Sequence, residues 1–271
     1  MNTVDFLVGD TQRMPTRSIW GNFPIRDIAE GVTNGVHLFE DFKNFRFSAD
    51  INAAVAYWAN GWEAFGSLGG SLTEGGEVGG SIVLASDGDN EGVWLGTQTK
   101  PFQISRDHKT LCFEIRLKVS TITDTKFGFF AGLIDTAALS ATVPIAAAGT
   151  LADENFVGFH RLEGDGDAVD TVYKADGVTQ VTVGTDAIAL VADTYVKLGM
   201  KYIPSGDGSG NYRLVFYKDG TRLTDSYGVV AAAGTDFPND VKLGPVFGLL
   251  NATGTTPGNL EVDWIAVGQL F

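Results

Sequence analysis

The chain has 271 residues, a formal net charge of −14 and 35 glycines, and 44% of its residues are hydrophobic. So acidic a surface argues against direct binding of nucleic acid or anionic membranes by the main body, because the phosphates would be repelled. Cys112 is the only cysteine, which excludes an intrachain disulfide, and its place in an apolar alternating run predicts a buried, inert thiol.

The N-terminal stretch "MNTVDFLVGD" lacks the basic start and sustained apolar run of a signal peptide. No segment has the roughly 20 apolar residues that a membrane-spanning helix needs. The sequence therefore predicts a protein made in a cytoplasm, and either left there or built into an assembly there.

Residues 1–37 differ from the rest and are predicted to form an N-terminal arm. They contain prolines, arginines and large apolar residues without strand alternation. One short helix is predicted over residues 24–30, with proline in its first turn and Gly31 closing it. Ile25, Ile28 and Ala29 would then share one face of this helix.

Such an arm is too short to fold alone, so it must dock on its own body or on a partner. Residues 11–26 contain three arginines and no acidic residue, whereas the body is strongly acidic. We predict that the arm binds a partner through arginines and apolar anchors, which are residue types enriched at binding hot spots. The predicted partner-binding residues are Arg13, Arg17, Trp20, Phe23, Ile25, Arg26 and Ile28. The alternative is that the arm wraps its own sandwich and covers an edge strand.

Residues 38–271 are predicted to form one all-β sandwich domain of ten or more short strands. Alternation is clearest over residues 111–119, where every second residue is apolar and Glu114, Arg116 and Lys118 face the other way. "TKFGFFAGLID" (125–135) is predicted to be the partner of this strand. Residues 137–155 are rich in small side chains and predict a loop or short helix at one edge.

Several stretches resemble the concanavalin A-like lectin/glucanase family, also called the laminin-G-like jelly roll. They are "TYVKLGMKYIP" followed by "VFYKDG", an early "EDF", "GGSIVL", and an Asp-Trp pair in the last strand. The resemblance covers residues 38–271. It implies an antiparallel jelly-roll β-sandwich, and as one possible function a glycan-binding lectin-like module or a glycoside hydrolase.

Glu261 and Asp263 in the last strand are the candidate catalytic pair, because residues two apart on a strand share a face. The retaining glucanases of the resembled family carry a third carboxylate two residues further on. Ile265 occupies that position here. Without an acid to protonate the leaving group, we predict no catalytic residues and no enzyme.

Two acidic turns, residues 87–98 and 163–170, could hold calcium, but the first has glutamine where a calcium loop needs glutamate. His37, His108 and His160 have no second ligand at metal spacing. We therefore predict no metal and no cofactor. The tryptophans at 58, 62 and 94 could stack on sugars but are predicted to belong to the core.

The layout of the whole chain, an arm joined to a lectin-like sandwich, resembles capsid decoration or cement proteins of tailed bacteriophages. This resemblance implies a non-enzymatic virion structural protein on the capsid surface. It implies the major capsid protein and neighbouring copies as partners, with a homotrimer as the oligomer. It implies no nucleic acid or membrane partner, and at most weak glycan binding.

Overall fold

The computed structural model describes residues 14–43, 56–57, 61–66, 70–86, 88–104, 110–135, 137, 139–140, 143–146, 149–204, 212–230, 235–252 and 258–271. Two short helices lie near its start, α1 (Arg17–Trp20) and α2 (Ile25–Ala29). The second confirms the predicted helix over residues 24–30. No helix in the described part of the chain is long and apolar enough to cross a membrane.

Strands make up most of the remaining described residues, and they pair in antiparallel fashion. They are β1 (Gly35–Glu40), β2 (Ala56–Tyr57), β3 (Trp62–Gly66), β4 (Ser71–Glu74), β5 (Ile82–Ala85), β6 (Gly92–Thr97), β7 (Phe102–Ile104), β8 (Leu111–Val119), β9 (Phe127–Ile134), β10 (Phe156–Arg161), β11 (Ala168–Lys174), β12 (Val181–Ala189), β13 (Val196–Pro204), β14 (Tyr212–Lys218), β15 (Thr221–Val230), β16 (Val241–Asn251) and β17 (Asn259–Leu270).

The strands form two sheets that pack face to face. Sheet I has the order β15-β14-β13-β8-β17-β5-β4, with β1 also paired to β17. Sheet II has the order β12-β11-β10-β9-β16-β6-β3-β2, with β7 also paired to β16. The main apolar core draws residues from both sheets. The predicted all-β jelly-roll sandwich is therefore confirmed.

Strand β8 lies in the middle of sheet I and shows why its sequence alternates. Its apolar side chains are at most 1% exposed and face the core between the sheets: Leu111, Phe113, Ile115, Leu117 and Val119. Val196 and Leu198 of the neighbouring β13 face the same core, as predicted. The opposite face of β8 carries Glu114 and Arg116, which are also buried, at 0% and 5% exposure.

The predicted pairing of 125–135 with β8 is wrong. Strand β9 pairs with β10 and β16 in sheet II, while β8 pairs with β13 and β17 in sheet I. The connection between β8 and β9 thus passes from one sheet to the other. Neighbouring strands in sequence usually pair, but a sandwich has connections that change sheets, and alternation does not distinguish the two cases.

The described arm residues, 14–34, lie on the outer face of sheet I. Ile19, Trp20 and Phe23 are at most 8% exposed and pack with Cys112, Trp264 and Ala266 of the sheet. The structure thus shows the alternative arrangement, in which the arm docks on its own sandwich. The arm covers the central strands, however, rather than an edge strand. Sheet I already begins at Gly35, where β1 pairs with β17.

Described residues after β9 cover part of the outer face of sheet II. Leu139 and Ile145 form an apolar cluster with Phe130, Phe156 and Val246. These two side chains lie over the middle of the sheet rather than one edge, which corrects the position predicted for 137–155. Each sheet thus has a core face and an outer face, and the same chain covers part of each outer face.

Candidate functional site

The two carboxylates of the last strand lie on the outer face of sheet I, beside the arm. Glu261 accepts hydrogen bonds from the hydroxyls of Ser81 and Tyr195, at 2.8 and 2.7 Å. Its other oxygen lies 2.9 Å from the ammonium of Lys118. Burial alone would raise the pKa of Glu261, but these three hydrogen bonds outweigh burial and hold the pKa below its usual value. The side chain is therefore a carboxylate at neutral pH.

Asp263 forms a buried ion pair with Arg116, and both side chains are at most 6% exposed. The guanidinium carbon of Arg116 also lies 3.7 Å from the ring centre of Tyr195, so the cation stacks on the phenol. The pairing of β17 with β8 shifts between Val262 and Trp264. This β-bulge turns Asp263 and Trp264 to the outer face together.

The bulge also moves the position that the glucanase pattern would use for its acid. A regular strand would put Ile265 on the same face as Glu261 and Asp263. Ile265 instead pairs with Ile115 and lies in the core between the sheets. The residue two places after Asp263 therefore faces away from the other two, whatever its chemistry.

A small pocket of about 190 Å³ opens beside Glu261. It is lined by Val83, Lys118, Ser120, Asp193, Asn259 and Glu261. Burial and the hydrogen bond to Glu261 raise the pKa of Tyr195, so this phenol stays protonated and donates. Tyr195 does not line the pocket itself, whose polar lining residues are Lys118, Ser120, Asp193, Asn259 and Glu261, and the carboxylate of Glu261 is already bound by the ammonium of Lys118.

Glu114 anchors the arm to the centre of sheet I. Its carboxylate accepts hydrogen bonds from the backbone amide of Thr16 at 2.8 Å and from the indole N–H of Trp20 at 2.9 Å. The hydroxyl of Thr16 donates a third hydrogen bond. Burial raises the pKa of Glu114, and the bonds from Thr16 and Trp20 offset only part of that effect.

Two lysines of β13 complete the polar contacts of the arm. Lys197 donates to the carbonyl of Met14 at 3.2 Å, and Lys201 donates to the carbonyl of Ile19 at 3.3 Å. Cys112 lies beneath the same segment, where burial raises the pKa of its thiol to about 12. The predicted inert thiol is therefore buried, although under the arm rather than in the core between the sheets.

The predicted partner-binding residues fall into three groups. Arg13 lies outside the described residues. Arg17 and Arg26 are exposed, and Arg26 pairs with Glu30 one turn later at 2.7 Å. The remaining four face their own sheet, two of them buried (Trp20 and Phe23) and two partly buried (Ile25 and Ile28). Their contact with a second molecule stays a prediction.

Sequence reasoning missed Glu114 and Tyr195, the two residues that organise this face. The alternation predicts only that Glu114 lies on the face opposite the core, and charged residues on such a face usually contact solvent. Its donors Thr16 and Trp20 are 98 and 94 residues away in sequence. The only available signal was the concentration of large apolar residues in the arm, which needed an apolar surface to cover.

Carboxylates of the acidic stretch 163–170 bind the protein's own backbone. Asp165 accepts from the amide of Leu162 at 2.7 Å, and Asp170 from the amide of Asp186 at 2.7 Å. The described residues contain no group of three metal-binding side chains. Asp87 and Trp58 lie outside the described residues. Trp62 and Trp94 are at most 1% exposed and lie in apolar clusters, as predicted for core residues.

His160 on β10 is a buried titratable group away from this face. Its Nδ1 has no hydrogen-bond partner among the described residues, and its Nε2 lies 3.9 Å from the carboxylate of Asp170. Burial lowers the pKa of His160 to about 4, against a smaller opposing effect of Asp165. The imidazole is therefore neutral in the folded protein over most of the pH range.

We predict that His160 makes the protein sensitive to acid. A lowered pKa favours proton uptake on unfolding, so stability falls as pH drops from about 6.5 towards 4. The shift corresponds to roughly 3 kcal/mol. Urea unfolding at pH 7 and pH 4 is expected to show a smaller loss of stability for His160→Gln than for the wild type. Equal losses would show that the proton taken up on unfolding binds elsewhere.

Comparisons with known proteins agree on the fold. No family profile matches the chain, and no curated protein is significantly similar to it in sequence. A protein of unknown function from Shewanella oneidensis is similar in structure, with 15% identity, coverage of 91% of this chain and 94% of the other, and a TM-score of 0.56. A GH16 protein from a mixed linkage glucan PUL of Bacteroides ovatus shows 12% identity, coverage of 85% and 99%, and a TM-score of 0.52. An endo-beta-1,4-glucuronan lyase from the fungus Trichoderma reesei shows 12% identity, coverage of 86% of this chain and 95% of the other, and a TM-score of 0.51. At these identities the likeness shows a shared concanavalin A-like jelly-roll fold.

Proposed function

We propose that the protein is a non-enzymatic structural protein that decorates or cements the outside of a bacteriophage capsid. One observation carries the non-enzymatic part of this proposal. Both candidate carboxylates are bound to cations, Glu261 to Lys118 and Asp263 to Arg116. A pair neutralised in this way stabilises the sheet and is not free to attack or protonate a substrate.

The electrostatics of Glu261 support the same conclusion. A glycosidase needs one carboxylic acid with a raised pKa to protonate the leaving oxygen. The pKa of Glu261 is lowered, and its oxygens are engaged by three donors. Asp263 is fully buried beneath the neighbouring side chains. Glu261 thus lacks the raised pKa of the acid, and Asp263 is held in its ion pair with Arg116 away from any substrate.

The coverage of both outer faces favours an interaction role. The arm covers the centre of sheet I, and the segment with Leu139 and Ile145 covers part of sheet II. Long sugar chains need an open, extended surface on which to lie. What the chain offers instead is a rigid double sheet with a small, separately packed arm, whose residues 11–26 carry three arginines.

The capsid setting belongs to the proposal because the layout of arm and sandwich resembles that of phage decoration proteins. In the proposal, the major capsid protein and neighbouring copies are the partners, and the copies form a homotrimer on the virion surface. The acidic body keeps the assembled shell soluble, while arginines of the arm pair with carboxylates of the partner. A closed ring of copies would also bury strand edges that a single sandwich exposes.

We expect no hydrolysis of β-glucan. The wild type and Glu261→Gln should both release reducing sugars from mixed-linkage β-glucan at the rate of the buffer blank. The circular dichroism spectrum of each protein verifies that it is folded. Cleavage by the wild type that disappears in a folded Glu261→Gln variant would contradict the non-enzymatic assignment.

We expect attachment to capsids to depend on the exposed arginines of the arm. Arg17→Glu with Arg26→Glu should weaken binding to capsids stripped of the protein by at least tenfold, because both guanidinium groups become carboxylates. The matched control is Lys242→Glu, an exposed charge reversal on β16 in the other sheet. Co-sedimentation with capsids measures the binding. Equal binding by the arginine variant and the control would count against attachment through the arm.

A second candidate function, glycan binding, is favoured by the pocket beside Glu261. Lys118, Asp193 and Asn259 present an ammonium, a carboxylate and an amide around a volume that suits a single sugar ring. Under the capsid proposal, a glycan array should show no more than weak binding. Strong binding that Asn259→Ala abolishes would establish the second function instead.

A further inference from the structure

The pocket beside Glu261 lies across neighbouring strands of sheet I and has two different ends. Its middle is formed where the end of β8 meets the start of β17, by Lys118, Ser120, Asn259 and Glu261. Val83 of β5, which pairs with Glu261, lies at one end. Asp193 lies at the other end, ahead of β13, where its backbone amide donates to the carbonyl of Val119 at 2.8 Å. The pocket thus has an apolar end and an acidic end.

The two charges in the middle of the pocket are bound to each other. The ammonium of Lys118 lies 2.9 Å from the carboxylate of Glu261 and 4.6 Å from the ring centre of Tyr195. Both side chains are therefore held in place, and their opposite charges cancel. The middle of the pocket consequently offers polar groups without a net charge.

Asp193 gives the pocket an excess of negative charge. Its side chain is exposed, and the ion pairs among the described residues do not include it. The pocket therefore carries one uncompensated carboxylate, on a chain whose net charge is already −14. Such a site attracts a cationic ligand and repels an anionic one.

The rest of the lining favours a ligand with several hydroxyl groups. The hydroxyl of Ser120 accepts from the backbone amide of Asn259 at 2.8 Å and can donate its own proton to a ligand. The side-chain amide of Asn259 supplies a donor and an acceptor. Val83 is the one apolar residue of the lining, which is too little to cover the alkyl chain of a lysine. It suffices for one edge of a sugar ring, and the volume of about 190 Å³ accommodates a single ring.

We propose that the pocket binds an amino sugar with a free amine, whose ammonium group pairs with Asp193 while its hydroxyl groups bond to Ser120 and Asn259. This inference rests on the second candidate function, glycan binding, and names the class of sugar that the site selects. The pocket lies on the outer face of sheet I beside the arm, so a bound sugar leaves the exposed arginines of the arm available to a capsid.

The test begins with the full-length wild type and four small probes. Ligand-observed NMR titrations at pH 6 compare glucosamine, glucose, N-acetylglucosamine and butylamine. Glucosamine should bind about fivefold more tightly than glucose or N-acetylglucosamine, which is the gain expected from one exposed ion pair. Butylamine has the ammonium without the hydroxyl groups and should bind more weakly than glucosamine. The preference for glucosamine should shrink in 1 M NaCl, which screens an exposed pair.

Asp193→Asn removes the proposed charge contact with little change of shape. Residue 193 has a φ of 55°, a left-handed conformation that asparagine also adopts readily. This variant should bind glucosamine no more tightly than glucose, and its affinity for glucose should equal that of the wild type. The matched control is Asp176→Asn, an exposed aspartate in the turn between β11 and β12 of sheet II. It should keep the full preference for glucosamine.

Three outcomes would overturn the inference. They are equal affinities of the wild type for glucosamine and glucose, a preference that survives in Asp193→Asn, and binding of butylamine as tight as that of glucosamine. Binding of neutral sugars without a preference would leave glycan binding standing and remove only the selection for an amine. Capsid attachment is measured separately with the Arg17 and Arg26 variant, so the failure of either proposal is recognised independently of the other.

Discussion

Replacing Glu114 with alanine is expected to lower the free energy of unfolding by about 3–5 kcal/mol. The substitution leaves three donors without an acceptor: the amide and hydroxyl of Thr16 and the indole N–H of Trp20. A buried donor without a partner costs about 1–3 kcal/mol. Urea unfolding, followed by circular dichroism and tryptophan fluorescence, measures the loss.

Glu114→Gln is the matched control. Its amide oxygen accepts from the Thr16 amide and the Trp20 indole, and its NH₂ group donates to the Thr16 hydroxyl. All three hydrogen bonds are kept and no charge is buried, so stability should stay within about 1 kcal/mol of the wild type. A loss as large as that of Glu114→Ala would show that the negative charge, rather than hydrogen bonding, holds the arm.

The wild type and Glu114→Gln should also differ in how their free energies of unfolding depend on pH. Burial raises the pKa of Glu114, so the folded state binds its proton more tightly than the unfolded state does. The penalty for burying the charge is present at neutral pH and disappears as the pH falls below the unfolded pKa. The wild type should therefore gain stability relative to Glu114→Gln as the pH drops from 7 to 4.

Asp263→Ala should have a similarly large effect, a loss of about 3–5 kcal/mol. The substitution leaves the Arg116 guanidinium buried without its carboxylate, stacked on Tyr195. Removal of one partner of a buried ion pair is far more damaging than removal of both. Arg116→Met with Asp263→Ala should therefore recover most of the loss.

Unfolding free energies of the two single variants and the double variant complete the cycle. Strong coupling is expected, so that the double variant is more stable than Asp263→Ala alone. If Asp263→Ala cost less than 1 kcal/mol, the guanidinium would have to reach water, and the buried pair would not hold the bulge of β17.

Much of the sandwich could be predicted because burial on one face imposes a period of two. The core residues of β8 and β13 follow from this period, whereas helix α2 was predicted from the proline and glycine at its ends. The sheet to which β9 belongs could not be read, because a connection that changes sheets has no distinctive residues. Pairing across a sandwich is decided by contacts distant in sequence.

The candidate site was only partly predictable for the same reason. Glu261 and Asp263 were found from their spacing, but the bulge that turns Ile265 inward is a register shift between strands 140 or more residues apart. The burial of Glu114 depends on an arm that begins about 100 residues earlier. Alternation along a strand indicates which residues share a face of the sheet. It does not indicate which other segment of the chain packs on that face.

The attachment of the arm to three adjacent inner strands has a mechanical consequence. Residues 14–23 are bound by Glu114 on β8, by Lys197 and Lys201 on β13, and by the surface around Gly268 on β17. Each of these strands has hydrogen-bonded neighbours on both sides. Tension applied to the chain ahead of residue 14 is therefore spread over the middle of the sheet and loads many bonds together. A tether fixed to an outermost strand would instead peel the sheet apart one bond at a time.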